Sequence, residues 1–312
     1  MKRVDYLDNL SGLLICYMML NHILLRGLVD CTVDNVCLEP LQFFMFWFFF
    51  KSGMFYVPKN SRQILSWGGI KLIIPLLVYS FIGHIIECVK LFVNGDFNWI
   101  HYMLTPFKEF VFTGSVNGNL PLWFLFSLFI VRLVFNGMFV RKIYPIFIFL
   151  FWMLIPIVLF YSGIKNLPIY LYNVPLGIAV YSCGYMLKER QFEKMILLFA
   201  SLAYLGIMLL RPSHLVFRDM TLNEGGNYFC AVLYSLSACV VFNNLFRCLP
   251  SCNILQFIGK NSMTYYVTHW IILSICSLVM ISGFHCHSLT VFIVMIVSCL
   301  VIPTIIVKLK KM

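Results

Sequence analysis

Long apolar stretches recur along the whole chain and are separated by short polar segments. Each stretch approaches the roughly 20 residues that an α-helix needs to cross the hydrocarbon core of a bilayer. We therefore predict an all-α fold, a polytopic transmembrane helical bundle that forms one integral-membrane domain over 1–312. The pattern predicts about ten spans, at 9–27, 41–57, 69–91, 120–137, 143–161, 168–187, 193–210, 227–247, 262–281 and 288–307.

Composition excludes the soluble class. Hydrophobic residues make up 61% of the chain and charged residues only 11%, whereas an average soluble domain has about 25% charged residues. The first apolar stretch follows the basic pair Lys2 and Arg3 without a small-residue cleavage site. We therefore expect it to be a retained helix and not a signal peptide.

The basic residues predict an orientation for these spans. The chain has 23 Lys and Arg residues and a formal net charge of +11. With the N-terminus placed in the cytoplasm, the inner segments hold about three times as many basic residues as the outer ones. This bias favours two cytoplasmic termini and a multi-pass protein of the inner or plasma membrane. Because the charges are dispersed among short loops, the expected partner is the lipid bilayer and not a nucleic acid.

Two histidines lie inside apolar stretches near the two ends of the chain. His22 falls within 13–28 and His269 within 263–281. An ionisable group at bilayer depth is costly and usually faces a protein interior or cavity, so each is a candidate functional residue. Ser11 precedes His22 by eleven residues, about three helical turns, and therefore shares its helix face. A neutral imidazole there can accept a proton from a hydroxyl. The alternative is that both histidines only hydrogen-bond across the bundle.

Several passages, in order along the chain, resemble the membrane acyltransferase-3 family of the polysaccharide O-acetyltransferase type. The resemblance rests on their order and spacing more than on any single motif, and it covers the whole chain. The passages are LDNLSG at 7–12 with His22 after it, FFFKSG at 48–53, Lys71 with Pro75, NLPLWFL at 119–125 and FIGKNSMTYYVTH at 257–269.

The resemblance implies an O-acyltransferase that transfers acetyl from acetyl-CoA to hydroxyls of a cell-surface glycan, either polymeric or lipid-linked. Acetyl-CoA is then a co-substrate; no bound cofactor and no metal are expected. His22 is the expected base or acyl relay, surrounded by substrate or core polar residues Asn119, Trp123, Ser262 and His269. The alternative is a translocator of a polysaccharide or lipid-linked glycan. Transporters more often show paired acidic residues and internal repeats, which this sequence lacks.

One position departs from the family pattern. Ser11 stands where the family usually has Arg or Lys, eleven residues before the histidine of the first span. The resemblance implies that this cation binds the acyl donor. Because Ser11 has no positive charge, it is only a weak candidate for a contact with the donor. Lys51 is the expected substitute and Lys71 a second donor contact. The alternatives are that Lys51 only extends to lipid headgroups, and that the chain is an inactive member of the family.

Other polar positions are weaker candidates. His84 and Glu87 are three residues apart on one helix face and form either a proton relay or a packed pair. Arg132 either approaches an anionic donor or is one more topology-setting charge. The polar segment 211–227 is a candidate rim for the acceptor.

Overall fold

The computed structural model describes residues 4–25, 39–93, 95, 98–162, 168, 170–210, 228–283 and 288–310. Within these ranges all regular elements are helical and there is no strand, which confirms the predicted all-α class. A helix occupies each of the ten stretches predicted as spans.

Thirteen α-helices make up most of the described residues. They are α1 Asp5–Leu25, α2 Phe44–Met54, α3 Ser61–Gly68, α4 Ile74–Val93, α5 Trp99–Thr113, α6 Trp123–Val140, α7 Pro145–Tyr161, α8 Tyr170–Leu187, α9 Lys194–Leu210, α10 Tyr228–Cys248, α11 Asn253–Lys260, α12 Ser262–Ser277 and α13 Ser288–Leu309. Short 3₁₀ segments lie at Glu39–Leu41, Asn117–Leu122 and Arg190–Phe192, and π-helical segments at Gly69–Ile73 and Leu278–Gly283.

Six helices among the described residues are long and apolar enough to cross a membrane, so the chain is a multi-pass membrane protein. Two shorter apolar helices are α7 and α9. A count of ten spans and two cytoplasmic termini stay predictions. The six long helices are Asp5–Leu24, Arg62–Val93, Gly118–Val140, Tyr228–Cys248, Ser262–Met280 and Leu289–Leu309.

The sequence did not predict α5 or α11. The fifteen residues of α5 include Pro106 and are too few to cross a bilayer. Only eight residues form α11, which ends just before α12 begins. Both helices are too short to give the long apolar run on which the prediction depended.

The chain divides into two compact units. Unit 1 contains Met1–Leu38, Pro75–Trp123 and Leu249–Met312; within it, α1 packs against α11, α12 and α13. Unit 2 contains Glu39–Ile74 and Phe124–Cys248; within it, α2 packs against α8 and α10.

Glycines set the position of α1 in unit 1. A methyl group added at Gly12 would overlap the backbone carbonyl of Leu255, and one added at Gly259 would overlap the carbonyl of Asp8. The backbones of α1 and α11 therefore touch, as small residues allow between membrane helices. This contact fixes the helix that carries His22.

We expect Gly12→Ala to destabilise the protein by about 1–3 kcal/mol, because the added methyl group must push the two backbones apart. Thermal unfolding of the purified protein measures the effect. The matched control is Gly137→Ala, since nothing lies within 4 Å of a methyl group at that helical glycine. Equal unfolding temperatures for the two variants would show that the α1–α11 contact tolerates a side chain.

Candidate active site

The two histidines predicted from opposite ends of the sequence meet inside unit 1. Helices α1 and α12 stack the ring of His22 on that of His269, with centroids 5.2 Å apart and an interplanar angle of 26°. The ring of Trp270 lies 5.4 Å from His22 at a near-perpendicular angle of 89°. The sequence predicted both histidines as functional residues, and the structure brings their rings into contact.

A backbone hydrogen bond fixes the tautomer of His269. Its side chain is completely buried, and Nδ1 lies 2.6 Å from the carbonyl oxygen of Tyr266. Because a carbonyl can only accept, Nδ1 carries the hydrogen and donates it. In the neutral ring the lone pair is then on Nε2. The imidazole is therefore held in one orientation and, when neutral, in one tautomer.

The two rings differ in exposure. His22 is half-buried, whereas His269 is fully enclosed. A substrate hydroxyl therefore has access to His22 more readily than to His269. His22 is therefore the more accessible of the two rings.

Ser11 lies on α1 with its side chain fully buried. Its hydroxyl donates to the carbonyl of Leu7, one turn earlier, at 2.6 Å. The hydroxyl proton is thus engaged by the helix backbone, as is common for serine inside a membrane helix. Its assignment as a donor contact stays a prediction.

The 3₁₀ segment Asn117–Leu122 is fastened to α12 beside the histidine pair. Asn119 interrupts this segment with a non-helical backbone conformation, φ −153° and ψ 64°. Its Nδ2 donates to the carbonyl of Val267 at 3.1 Å and to that of Tyr79 at 3.5 Å. The hydroxyl of Tyr266 donates to the carbonyl of Pro121. The segment is therefore joined to the same turns of α12 that carry His269.

The other end of the Asn119 amide is the clearest candidate ligand contact. Its Oδ1 is fully buried and has no hydrogen-bond partner among the described residues. A flipped amide is excluded, because Oδ1 would then face two carbonyl oxygens that can only accept. A buried acceptor left unsatisfied costs about 1–3 kcal/mol. A hydroxyl or N–H group of a bound substrate would relieve that cost.

Two further predicted residues, Trp123 and Ser262, belong to unit 1. Trp123 is buried at the start of α6. Ser262 is half-buried at the start of α12, seven residues before His269. Trp270 was not among the predicted site residues, although it directly follows His269 in the sequence.

The two lysines predicted as donor contacts belong to unit 2. Lys51 is half-buried in α2, and its Nζ lies 5.1 Å from the ring centroid of Trp47, one turn earlier. A buried network holds that indole: Trp47 Nε1 donates to Asn243 at 2.8 Å, and Asn243 donates to Gln191 at 2.7 Å. Lys71 is exposed in the π-helical segment Gly69–Ile73. Donor binding by either lysine stays a prediction.

His84 and Glu87 contact different neighbours in the structure, and a relay between them stays a prediction. Glu87 pairs with Lys90 at 3.7 Å, and the Nε2 of His84 lies 3.6 Å from the thiol of Cys88. Each side chain thus has its own helical neighbour.

The candidate acceptor rim 211–227 lies outside the described residues. Where the structure describes the chain, no group of three His, Cys, Asp or Glu residues is placed to hold a metal ion.

Comparison with known proteins identifies the family of this chain. The family model for acyltransferase-3 proteins, described as an acyltransferase domain, matches residues 4–308. No curated protein and no solved structure matches the chain. The family match covers nearly the whole sequence and confirms the resemblance found in its motifs. The chain therefore belongs to the acyltransferase-3 family of membrane acyltransferases.

Proposed function

We propose that this membrane acyltransferase moves an acetyl group from acetyl-CoA to a hydroxyl of a cell-surface glycan, with His22 as the base. The observation that carries the proposal is the stack of half-buried His22 on fully buried His269. The acetyl group and the glycan come from the family resemblance, which is strongest in the helix start that leads to His269.

The imidazole of His22 performs the proton transfers in this reaction. The acceptor hydroxyl oxygen attacks the thioester carbonyl carbon while His22 removes the hydroxyl proton. The tetrahedral intermediate then collapses, and the carbon–sulfur bond breaks. The leaving thiolate takes the proton from the imidazolium, so the products are an acetyl ester and free CoA thiol. His22 returns to its neutral form.

His269 acts through His22 and is a positioning residue. Its own bond to the Tyr266 carbonyl prevents rotation of the ring on which His22 stacks.

Asn119 is the proposed substrate contact. Its Oδ1 accepts a hydrogen bond from a hydroxyl of the glycan. The two hydrogen bonds that Nδ2 donates to backbone carbonyls keep Oδ1 in place. Lys51 and Lys71 are the proposed contacts of the donor, whose phosphates favour nearby cations.

The proposal is tested by incubating membranes that contain the protein with acetyl-labelled acetyl-CoA and cell-surface glycans. We expect label on glycan hydroxyls, released by mild base as acetate, and none with membranes that lack the protein. Mass spectrometry locates the acetyl group. Glycan that crosses the membrane without consumption of acetyl-CoA would instead identify a translocator and contradict the proposal.

A further inference from the structure

Two cations of unit 2 share one indole ring. The guanidinium carbon of Arg132 lies 4.7 Å from the ring centroid of Trp67, and the Nζ of Lys59 lies 5.4 Å from it. Neither cation forms an ion pair with a carboxylate in the part of the chain that the structure describes. We call Lys59, Trp67, Arg132 and Tyr181 the Trp67 cluster. Its positive charge is concentrated and is not balanced by a described acid.

Buried hydrogen bonds hold Lys59 in place. Asn136, on α6, accepts from the backbone N–H of Lys59 at 3.2 Å and donates to its carbonyl at 3.0 Å. The hydroxyl of Tyr56 donates to the same Asn136 oxygen at 2.8 Å. Asn136 is only 2% exposed, so this clamp is part of the packed interior. The lysine side chain is exposed, but its backbone is fixed beside the ring.

Arg132 is also held in place. It lies one turn before Asn136 on α6, and its guanidinium lies beside Tyr181 of α8. The side chain is half-buried in an otherwise apolar helix, where an ionised group is costly. The indole face compensates part of that cost. The five N–H donors of a guanidinium can bind an anionic ligand.

The residues of the Trp67 cluster indicate which kind of ligand it can bind. A guanidinium binds a phosphate through two parallel hydrogen bonds, which a lysine beside it supplements as a point charge. A phosphate group also offers several oxygens and up to two negative charges, which two cations from separate elements can share. Trp67 is 41% exposed and the side chain of Lys59 is exposed, so these two residues of the cluster lie at the protein surface.

We propose that the Trp67 cluster binds a phosphate group, and that this phosphate belongs to the coenzyme A part of the acyl donor. The identity of the donor rests on the proposed function. A phosphate of the same chemistry is also present in lipid headgroups, and the experiment separates the two sources.

The test is equilibrium binding of coenzyme A to the protein in nanodiscs of phosphatidylcholine. Coenzyme A has no acyl group, so binding is measured independently of transfer. We expect Arg132→Gln to weaken binding by about tenfold or more, because charge-assisted hydrogen bonds are lost, and Lys59→Gln to weaken it by about threefold to tenfold. Arg62→Gln is the matched control, since Arg62 is an exposed cation of α3 outside the cluster.

A second arm uses nanodiscs that contain phosphatidylglycerol and measures the anionic lipid that remains bound to the protein. Loss of that lipid from both variants, with unchanged coenzyme A binding, would assign the phosphate to a headgroup and overturn the donor assignment. Unchanged binding of both ligands would overturn the site itself. Should Arg132→Gln fail to fold, Lys59→Gln decides, because its side chain is exposed. Coenzyme A binding that depends on the cluster, without acetyl transfer, would contradict only the proposed function.

Discussion

Replacement of His22 by alanine is expected to lower acetyl transfer at least about 100-fold while the protein still inserts and folds. Loss of a general base typically has an effect of this size. His22 is half-buried at the end of α1, so its removal leaves the contact between α1 and α11 intact. The measurement is the initial rate of acetyl transfer in membranes with equal amounts of folded protein.

His84→Ala is the matched control for that experiment. His84 is also a half-buried histidine of a membrane helix, but its partner is the thiol of Cys88 and not the stacked pair. We expect this variant to keep activity within about twofold of the parent, since a side-chain change outside the site has a small effect. Normal transfer by a well-folded His22→Ala variant would remove His22 from the mechanism.

His269→Ala is expected to reduce both activity and stability. The ring is completely buried, and its removal leaves a cavity and breaks the bond to the Tyr266 carbonyl. A destabilisation of about 2–4 kcal/mol is typical of such a truncation. Thermal unfolding and the transfer rate are measured on the same preparation.

His269→Phe separates a positioning role from a purely structural one. Phenylalanine keeps an aromatic ring for His22 to stack on but cannot make the Nδ1 bond. We expect it to recover most of the lost stability and only part of the rate, and to change the pH dependence of kcat/KM, since His22 then has an apolar neighbour. A His269→Ala variant as stable as the parent but inactive would identify His269 as the base and reverse the two roles.

Helix positions were predictable from the sequence because a span must be apolar over its whole length. The same reasoning selected His22 and His269, because an ionisable side chain inside an apolar span is energetically costly and is therefore a candidate functional residue. Their contact was not predictable, because it depends on how α1 and α12 pack. The fixed direction of the Asn119 amide likewise depends on two carbonyls, of Val267 and Tyr79, that are remote in sequence.

The Trp67 cluster shows why the roles of basic residues were harder to predict from the sequence than those of the two histidines. The sequence indicated Arg132 as either a donor contact or a topology-setting charge, and it did not indicate Lys59 as a candidate residue. The sequence spacing of Lys59, Trp67 and Arg132 contains no recognisable motif. Only the packing of α3 against the face of α6 that carries Arg132 brings both cations to one ring.

The glycine contact between α1 and α11 also sets the rotation of the helix that carries His22 about its own axis. An α-helix turns by about 100° per residue, so the angular direction of His22 is determined by its distance along the chain from Gly12. Inserting one residue between them would turn the imidazole away from His269 without changing any side chain of the site. We therefore expect the ten-residue separation between Gly12 and His22 to be as strictly constrained as the identity of either residue.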